Sequence, residues 1–291
     1  MLKNFAFSNK LNIAITFVLA AQTLLAGKFW LLNIFSVIPP VFFTLLFFLL
    51  IVWNIIKKNP SGLLFTLVCI PFVIYLSDTS IRIFFNDQNK DVPVVKVFNW
   101  NTEFWEGENI QEFYDFLLAQ KADVYHLQEH IKLENGEFVE MGDYFELQEV
   151  FAGYRVVQKT EFLTITKLPV VKSYENTDSY FLRVDVELGN AILSLYNVHM
   201  PVHVNAGLAD DWIKFLKDTK NRFAFRDEQF NLLINDIQEN QNLYYISGDF
   251  NTTKSMGKIQ EVLRLGSDAA FAHNSLINGT WVINGLKLWR I

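Results

Sequence analysis

The chain has 291 residues, enough for one large domain or two ordinary ones, and its single cysteine, Cys69, excludes a disulfide framework within the chain and a cysteine-based metal site. Residues 1–84 carry six Lys or Arg and one acid, Asp78, which leaves 19 bases and 30 acids, a net charge of about −11, for the rest. That charge disfavours general binding of long duplex DNA, which depends on phosphate neutralisation, but it is compatible with a metal-dependent enzyme, because a bound cation supplies positive charge locally.

Three apolar segments near the N-terminus predict three transmembrane helices. They lie at 11–27, 39–56 and 61–77, and each is about as long as a bilayer crossing requires at 1.5 Å per residue. Two other interpretations are open here, a cleaved signal peptide for the first segment and a buried helical core for all three. We predict a membrane anchor of three helices over residues 1–85.

The basic residues near these segments predict an orientation. Lys3 and Lys10 precede the first segment, and Lys57 and Lys58 separate the second from the third. If all three segments span the membrane, these four lysines lie on the same side of it. Short loops rich in Lys and Arg stay in the cytoplasm. We therefore expect a multi-pass protein of the inner (cytoplasmic) membrane with its C-terminal domain on the extracytoplasmic side. The lipid bilayer is then a partner, and no stable protein partner is implied.

A polar stretch ending in proline, 86–93, predicts a linker to a domain over residues 94–291. Within that domain, mixed apolar patterns predict helices at 109–122 and about 222–240. The strand candidates are 94–102, 123–130, 145–151, 154–160, 162–171, 180–188, 191–200 and 243–250. Several strands are consecutive and others are separated by helices, which favours an α/β sandwich with mixed sheets.

Polar residues stand where four of these apolar strands end. They are Asn101, Glu129, His199 and the pair Asp249 and Asn251. Open α/β sheets commonly place their sites at the carboxyl ends of strands, which makes these residues candidates for one site. The structural alternatives are a simple turn for Asp249 and Asn251 and a satisfied core histidine for His199.

The chemistry of these side chains suits phosphate-ester hydrolysis. Glu129 offers the hard oxygen ligand that Mg²⁺ prefers, and Asp249 can orient or deprotonate an attacking water. Asn251 lies on the same face as Asp249 if the chain is extended there, and it can donate to a phosphate oxygen. His199 can protonate a leaving group or, when charged, stabilise the phosphoryl group in the transition state.

The motifs "NWN", "LQE", "NVHMP" and "SGDFN", in this order and spacing, resemble those of the endonuclease/exonuclease/phosphatase superfamily over about residues 94–291. The resemblance implies a four-layer sandwich of two mixed β-sheets packed face to face with helices outside. It also implies a Mg²⁺ site, or Mn²⁺ as the alternative, at Glu129 with Asn101 beside it. Asp249 orients water, and Asn251 and His199 bind the scissile phosphate. The implied enzyme is a membrane-anchored, metal-dependent phosphodiesterase or nuclease-like hydrolase.

The resemblance leaves the substrate open among nucleic acid, a phospholipid head group and a small phosphate ester. It also has a gap, because the family continues with a strand carrying an Asp and then with "Ser-Asp-His", whereas this sequence stops at Trp289-Arg290-Ile291. The last strands are therefore expected to be missing. Loss of that Asp–His pair predicts a much reduced rate. The alternative function is a non-catalytic or truncated membrane protein that uses the sandwich as an interaction module.

Overall fold

The computed structural model describes most of the chain. The described residues are 2–25, 27–80, 94–105, 109–135, 137–141, 144–174, 179–254, 256–272, 278–283 and 286–289. The predicted linker at 86–93 lies outside them.

The described strands, in chain order, are β1 (Val97–Asn101), β2 (Val124–Gln128), β3 (Ile131–Glu134), β4 (Glu137–Glu140), β5 (Arg155–Lys159), β6 (Phe162–Thr166), β7 (Val170–Tyr174), β8 (Phe181–Leu188), β9 (Ala191–His199), β10 (Leu243–Asp249), β11 (Trp281–Ile283) and β12 (Leu286–Trp289). The described α-helices are α1 (Leu2–Leu25), α2 (Pro40–Ile56), α3 (Pro60–Val68), α4 (Ile70–Leu76), α5 (Ile110–Ala119), α6 (Tyr144–Val150), α7 (Trp212–Glu239) and α8 (Ile259–Leu265). Short 3₁₀ turns occur at Trp30–Val37, Glu103–Trp105, Ala206–Leu208 and Ala269–Ala272.

The chain forms two compact units, which we call the sandwich unit (residues 87–201 and 231–250) and the N-terminal unit (residues 1–86, 202–230 and 251–291). The predicted division into 1–85 and 94–291 stays a prediction. The two units differ from it in that 202–230 and 251–291 group with the N-terminal segment.

The sandwich unit holds two mixed four-stranded sheets, with strand orders β1-β2-β6-β5 and β10-β9-β8-β7. Each sheet contains one parallel pair, β1 with β2 and β10 with β9, and its other pairs are antiparallel. The parallel pairs follow from the chain order, because α5 lies between β1 and β2 and α7 lies between β9 and β10. A crossover of this kind returns the chain in the same direction, so both strands of each pair end at the same edge.

The two sheets share one apolar core. Val124 and Phe162 of the first sheet pack with Leu182, Val184 and Leu195 of the second. All five residues of β2 are buried, as expected for a strand covered on both faces. The sheets therefore pack face to face.

Helices cover the outer faces of the sandwich. Asn109 caps α5 by accepting from the backbone of Gln111 and Glu112, and the helix then presents Phe113 and Leu117, four residues apart, to the first sheet. The end of α7 lies against the second sheet. There Asp236 accepts hydrogen bonds from Tyr196 (2.6 Å) and Arg183 (3.0 Å).

Most of the predicted strands and the helix predicted at 109–122 are confirmed within a few residues, and one strand is wrong. The helix predicted at about 222–240 is confirmed at its end, but α7 begins ten residues earlier, at Trp212. The segment predicted as a strand at 145–151 is helical up to Val150, in α6, since Leu147 and Phe151, one helical turn apart, are both buried in the same core cluster. The β3–β4 hairpin was not among the predicted elements. The predicted strand at 162–171 is divided into β6 and the start of β7.

The predicted transmembrane helices are wrong. Among the described residues, no helix is both long and apolar enough to cross a bilayer. The helix α2 has 17 residues, about 26 Å at 1.5 Å per residue, short of a hydrocarbon core of about 30 Å. The predicted third span is two helices of nine and seven residues, with Pro71 in the first turn of the second. The fold class with N-terminal transmembrane helices and the multi-pass inner-membrane localisation are therefore both overturned.

The remaining predicted span shows a second reason for this error. The helix α1 is long, but Asn12 and Gln22 interrupt its apolar run and are buried. The Asn12 and Asn54 side chains exchange two hydrogen bonds of 3.1 and 3.2 Å, and Asn54 also donates to Thr66 (3.1 Å). These asparagines join α1, α2 and α3 through a buried polar network, which an average hydropathy does not reveal.

Candidate functional site

Four of the five predicted site residues lie at one edge of the sandwich unit. Asn101 is the last residue of β1 and pairs in register with Gln128, the residue before Glu129. His199 and Asp249 are the last residues of β9 and β10 and are paired with each other. The two parallel pairs therefore bring these polar strand ends together.

The four side chains contact one another directly. The Asn101 amide donates to Glu129 Oε1 (2.9 Å) and to Asp249 Oδ2 (3.0 Å), so it bridges one carboxylate from each sheet. His199 Nε2 lies 3.3 Å from Glu129 Oε1. The backbone N–H of Glu103 donates to Asn101 Oδ1 (3.0 Å), which orients the amide nitrogen toward the two acids.

A fifth member, Glu161, was not predicted from the sequence. Its Oε2 lies 2.9 Å from His199 Nδ1, so the imidazole is held between Glu161 and Glu129. Glu161 precedes β6, which runs antiparallel to β2 with Leu163 opposite Leu127. The turn before β6 therefore reaches the same edge as the end of β2. We call Asn101, Glu129, Glu161, His199 and Asp249 the site cluster.

Glu161 and His199 form an acid–histidine pair. The only sequence signal for Glu161 as a site residue is that it is an acid in a β-hairpin turn. Whether that turn reaches the site depends on which strands pair. Pairing of this kind is not visible in the local pattern.

The electrostatics of the site cluster favour a charged histidine. Burial disfavours the imidazolium, but the hydrogen bond and charge of Glu161, together with Asp249 and Glu129, raise the pKa of His199 above its usual value. Burial raises the pKa of Glu129 as well, and the Asn101 hydrogen bond and the His199 charge only partly oppose this. A cation at this edge would therefore relieve the repulsion among the acids.

Two backbone features shape the ends of β2 and β10. Glu129 has φ +55°, in the left-handed region that non-glycine residues rarely adopt, and such strain is typical of functional sites. Gly248 has φ +151°, and a Cβ at this position would meet Val198 O of β9 at 1.8 Å. The glycine of the "SGDFN" motif is therefore required for β10 to pass close to β9 and carry Asp249 to the edge.

The fifth predicted residue, Asn251, belongs to the N-terminal unit. Its φ of +46° is left-handed, so the alternation of an extended strand does not continue from Asp249 through Asn251. Asp249 itself is still part of β10, which makes the simple-turn interpretation wrong for Asp249. The predicted role of Asn251 at the phosphate stays a prediction.

Buried amides hold the strands that carry the site cluster. The Gln128 amide donates to Asn197 Oδ1 (2.6 Å) and to Asn99 Oδ1 (3.0 Å). The Asn197 amide in turn donates to the backbone oxygens of Leu127 (3.1 Å) and Leu163 (3.2 Å). Because these bonds join the two sheets one or two residues before Glu129 and His199, they fix the separation of those side chains.

The site cluster fits a hard divalent cation with few protein ligands. In the described part of the chain, no group of three or more His, Cys, Asp or Glu side chains is arranged to hold a metal ion. Mg²⁺ needs only one or two carboxylates and keeps several waters. Glu129, with the Asn101 amide beside it, provides one such carboxylate.

The other buried histidines of the sandwich unit have structural partners. His126 is enclosed, its Nδ1 lies 2.8 Å from Ser247 Oγ, and burial lowers its pKa to about 3. His130, which directly follows Glu129, is fully buried with Nε2 at 3.3 Å from the Tyr114 hydroxyl, and burial lowers its pKa to about 4. Both are therefore neutral near pH 7, whereas the pKa of His199 is raised above its usual value.

No family model and no curated protein sequence matches the chain. Similar solved structures include an endonuclease/exonuclease/phosphatase family protein from Leptotrichia buccalis, with 17% identity over 60% of this chain and 73% of that chain and a TM-score of 0.41. Truncated Caenorhabditis elegans TDP2 has 16% identity over 54% of this chain and 62% of its own, with a TM-score of 0.36. Sphingomyelinase C from Streptomyces griseocarneus has 15% identity over 60% and 70%, with a TM-score of 0.38. The functional conclusion below rests on the side-chain geometry alone.

Proposed function

We propose that this protein is a metal-dependent phosphoesterase that hydrolyses a phosphodiester or phosphomonoester with Mg²⁺, or with Mn²⁺ as the alternative. The observation that carries the proposal is the site cluster itself. It combines two carboxylates, Glu129 and Asp249, which the Asn101 amide bridges, with a histidine, His199, that a third acid, Glu161, holds. Hydrolysis of a phosphate ester needs these three functions together: cation binding, water activation and stabilisation of phosphoryl charge.

Each side chain has a distinct role in this proposal. Glu129 would hold the cation with Asn101 beside it, and a bound Mg²⁺ supplies polarisation of the phosphoryl oxygen and neutralises charge on the leaving oxygen. Asp249 orients the attacking water and accepts its proton as the water oxygen bonds to phosphorus and the bond to the leaving oxygen breaks. His199, whose charged form is favoured by Glu161, stabilises the negative charge of the phosphoryl group.

The proposal can be tested with bis(p-nitrophenyl) phosphate and p-nitrophenyl phosphate as substrates in Mg²⁺. We expect Glu129→Gln and Asp249→Asn each to lower kcat/KM by about 100-fold or more. The matched control is Glu187→Gln, an exposed acid of β8, which should stay within about twofold of the wild type. Unchanged rates in both site variants would refute the assigned site.

Metal binding provides a readout independent of turnover. Free Mn²⁺ can be counted by electron paramagnetic resonance as it is titrated into the wild type and into Glu129→Gln. We expect the variant to bind Mn²⁺ at least about tenfold more weakly, because the carboxylate assigned to the cation is neutralised. Equal affinity in the two proteins would place the cation elsewhere and contradict the role of Glu129.

A further inference from the structure

Two phenylalanines form an exposed stacked pair in the sandwich unit. The rings of Phe104 and Phe138 have centroids 5.3 Å apart and planes inclined by 26°. Phe104 is 39% exposed and Phe138 is 62% exposed. Single exposed apolar residues are ordinary, but here two rings from different segments pack on each other and still leave an open aromatic face.

Both rings are carried by segments that leave the site cluster. Phe104 is three residues after Asn101, so their Cα atoms are at most about 11 Å apart. Phe138 lies on β4, opposite Leu133 of β3, and β3 begins two residues after Glu129. The β3 strand also contacts the turn that contains Phe104. The aromatic pair therefore stands beside the edge where the proposed phosphate site lies.

The backbone that presents Phe104 is strained and is held by the site cluster. Glu103 and Phe104 have φ values of +49° and +59°, and a bulky aromatic residue rarely adopts this conformation. The Glu103 N–H donates to Asn101 Oδ1 (3.0 Å), and the Thr102 hydroxyl donates to the Glu129 backbone oxygen (2.9 Å). Strain maintained by residues of the site points to a functional reason for the position of Phe104.

We propose that Phe104 and Phe138 form an aromatic platform that binds a nucleobase, so that the preferred substrates are phosphodiesters of single nucleosides; this inference rests on the proposed function. A nucleobase can extend the stack on the open face of Phe138, and base–aromatic stacking needs no particular base.

The charge around the platform supports a small substrate over a long polyanion. The hairpin of β3 and β4 carries three exposed acids, Glu134, Glu137 and Glu140. A long nucleic acid or an anionic lipid surface would bring many phosphates close to these acids, which is unfavourable. A nucleoside diester brings only the scissile phosphate, and the proposed cation neutralises it.

Two chromogenic substrates with the same leaving group test the platform. Thymidine 5′-(p-nitrophenyl phosphate) and ethyl p-nitrophenyl phosphate both release p-nitrophenolate, so they differ in the presence of a nucleoside and not in the leaving group. We expect Phe138→Leu and Phe104→Leu to lower the ratio of kcat/KM for the thymidine ester to that for the ethyl ester by about fivefold or more. Phe138→Trp should keep the ratio, and Phe17→Leu, the same change at an exposed phenylalanine of α1, should leave it unchanged.

The outcomes separate this inference from the proposed function. If both esters are hydrolysed and the ratio is the same in wild type, Phe104→Leu and Phe138→Leu, the platform is wrong while the hydrolase stands. If neither ester is hydrolysed, the proposed function fails, and the platform is then judged by calorimetric binding of thymidine 5′-monophosphate. A loss of affinity of about fivefold or more in Phe138→Leu supports the platform, and equal affinity overturns it. Thermal unfolding of each variant checks that it is folded.

Discussion

Replacement of Arg183 by methionine tests how the outer helix is held on the second sheet. The Arg183 guanidinium forms a bidentate pair with Asp185 (2.9 and 3.1 Å) and also donates to Asp236 (3.0 Å) and Asn240 (3.0 Å). The Arg183 and Asp185 side chains are only 9% and 6% exposed. Methionine keeps an unbranched apolar stem but leaves both carboxylates without their cation.

The expected loss in the free energy of unfolding follows from the burial of the Arg183–Asp185 pair. Removal of one partner from a buried ion pair costs about 3–5 kcal/mol, because the remaining charge is no longer compensated. Tyr174 and Asn242 still donate to Asp185 (3.1 Å each), and Asp236 is 29% exposed, so we expect the lower end, about 3 kcal/mol.

The loss should depend on pH in a defined direction. Burial alone would raise the pKa of Asp185, but its hydrogen bonds with Arg183 and Ser194 and the charge of Arg183 lower it below the ordinary value of 3.8. In the wild type this carboxylate therefore contributes stability above pH 3.8, and the contribution is lost as the pH falls through the lowered pKa. Without Arg183, burial is expected to raise the pKa of Asp185. Protonation of this carboxyl group then removes its uncompensated charge and stabilises the variant. The stability difference should be largest at pH 7 and smaller at pH 4.

Urea unfolding followed by circular dichroism at pH 7 and pH 4 measures both quantities. The control is Arg155→Met, an exposed arginine of β5, which should change the free energy of unfolding by less than about 0.5 kcal/mol. A loss below about 1 kcal/mol for Arg183→Met, or an equal loss at both pH values, would refute the reasoning from burial.

Two further substitutions test the site cluster and the strand beside it. Glu161→Gln removes the charge that raises the pKa of His199, so the basic limb of the pH profile of kcat/KM should move to lower pH. A basic limb at the same pH as in the wild type would exclude the Glu161–His199 pair from catalysis. Gly248→Ala forces a Cβ onto Val198 O and should cost about 3 kcal/mol in urea unfolding. Gly153→Ala also has a positive φ (+86°) but open space, and it should cost only about 1 to 2 kcal/mol; equal losses would contradict the close approach.

The strand ends of the sandwich unit were predictable because each combines a local signal with a topological rule. Apolar runs that stop at Asn101, Glu129, His199 and Asp249 predict strand ends, and intervening helices predict parallel pairs whose ends meet. Glu161 could not be found in this way. Its place depends on the antiparallel pairing of β6 with β2, which no local pattern specifies.

The membrane segments were mispredicted because hydropathy reports composition and not helix length or polar pairing. Residues 61–77 read as one apolar run, but the structure divides them into α3 and α4 near Pro71. The Asn12–Asn54 pair satisfies two polar side chains inside an apolar region, and such pairing depends on tertiary contacts. Likewise, Leu147 and Phe151 fit both a strand and a helix pattern until the core they join is known.

The most direct test of the central claim is turnover of bis(p-nitrophenyl) phosphate by the purified full chain, with Mg²⁺ and then with EDTA. The site cluster predicts hydrolysis that is abolished by EDTA, restored by excess Mg²⁺, and lost in Asp249→Asn under all conditions. Hydrolysis that persists in EDTA, or that persists in Asp249→Asn, would contradict a metal-dependent phosphoesterase at this site.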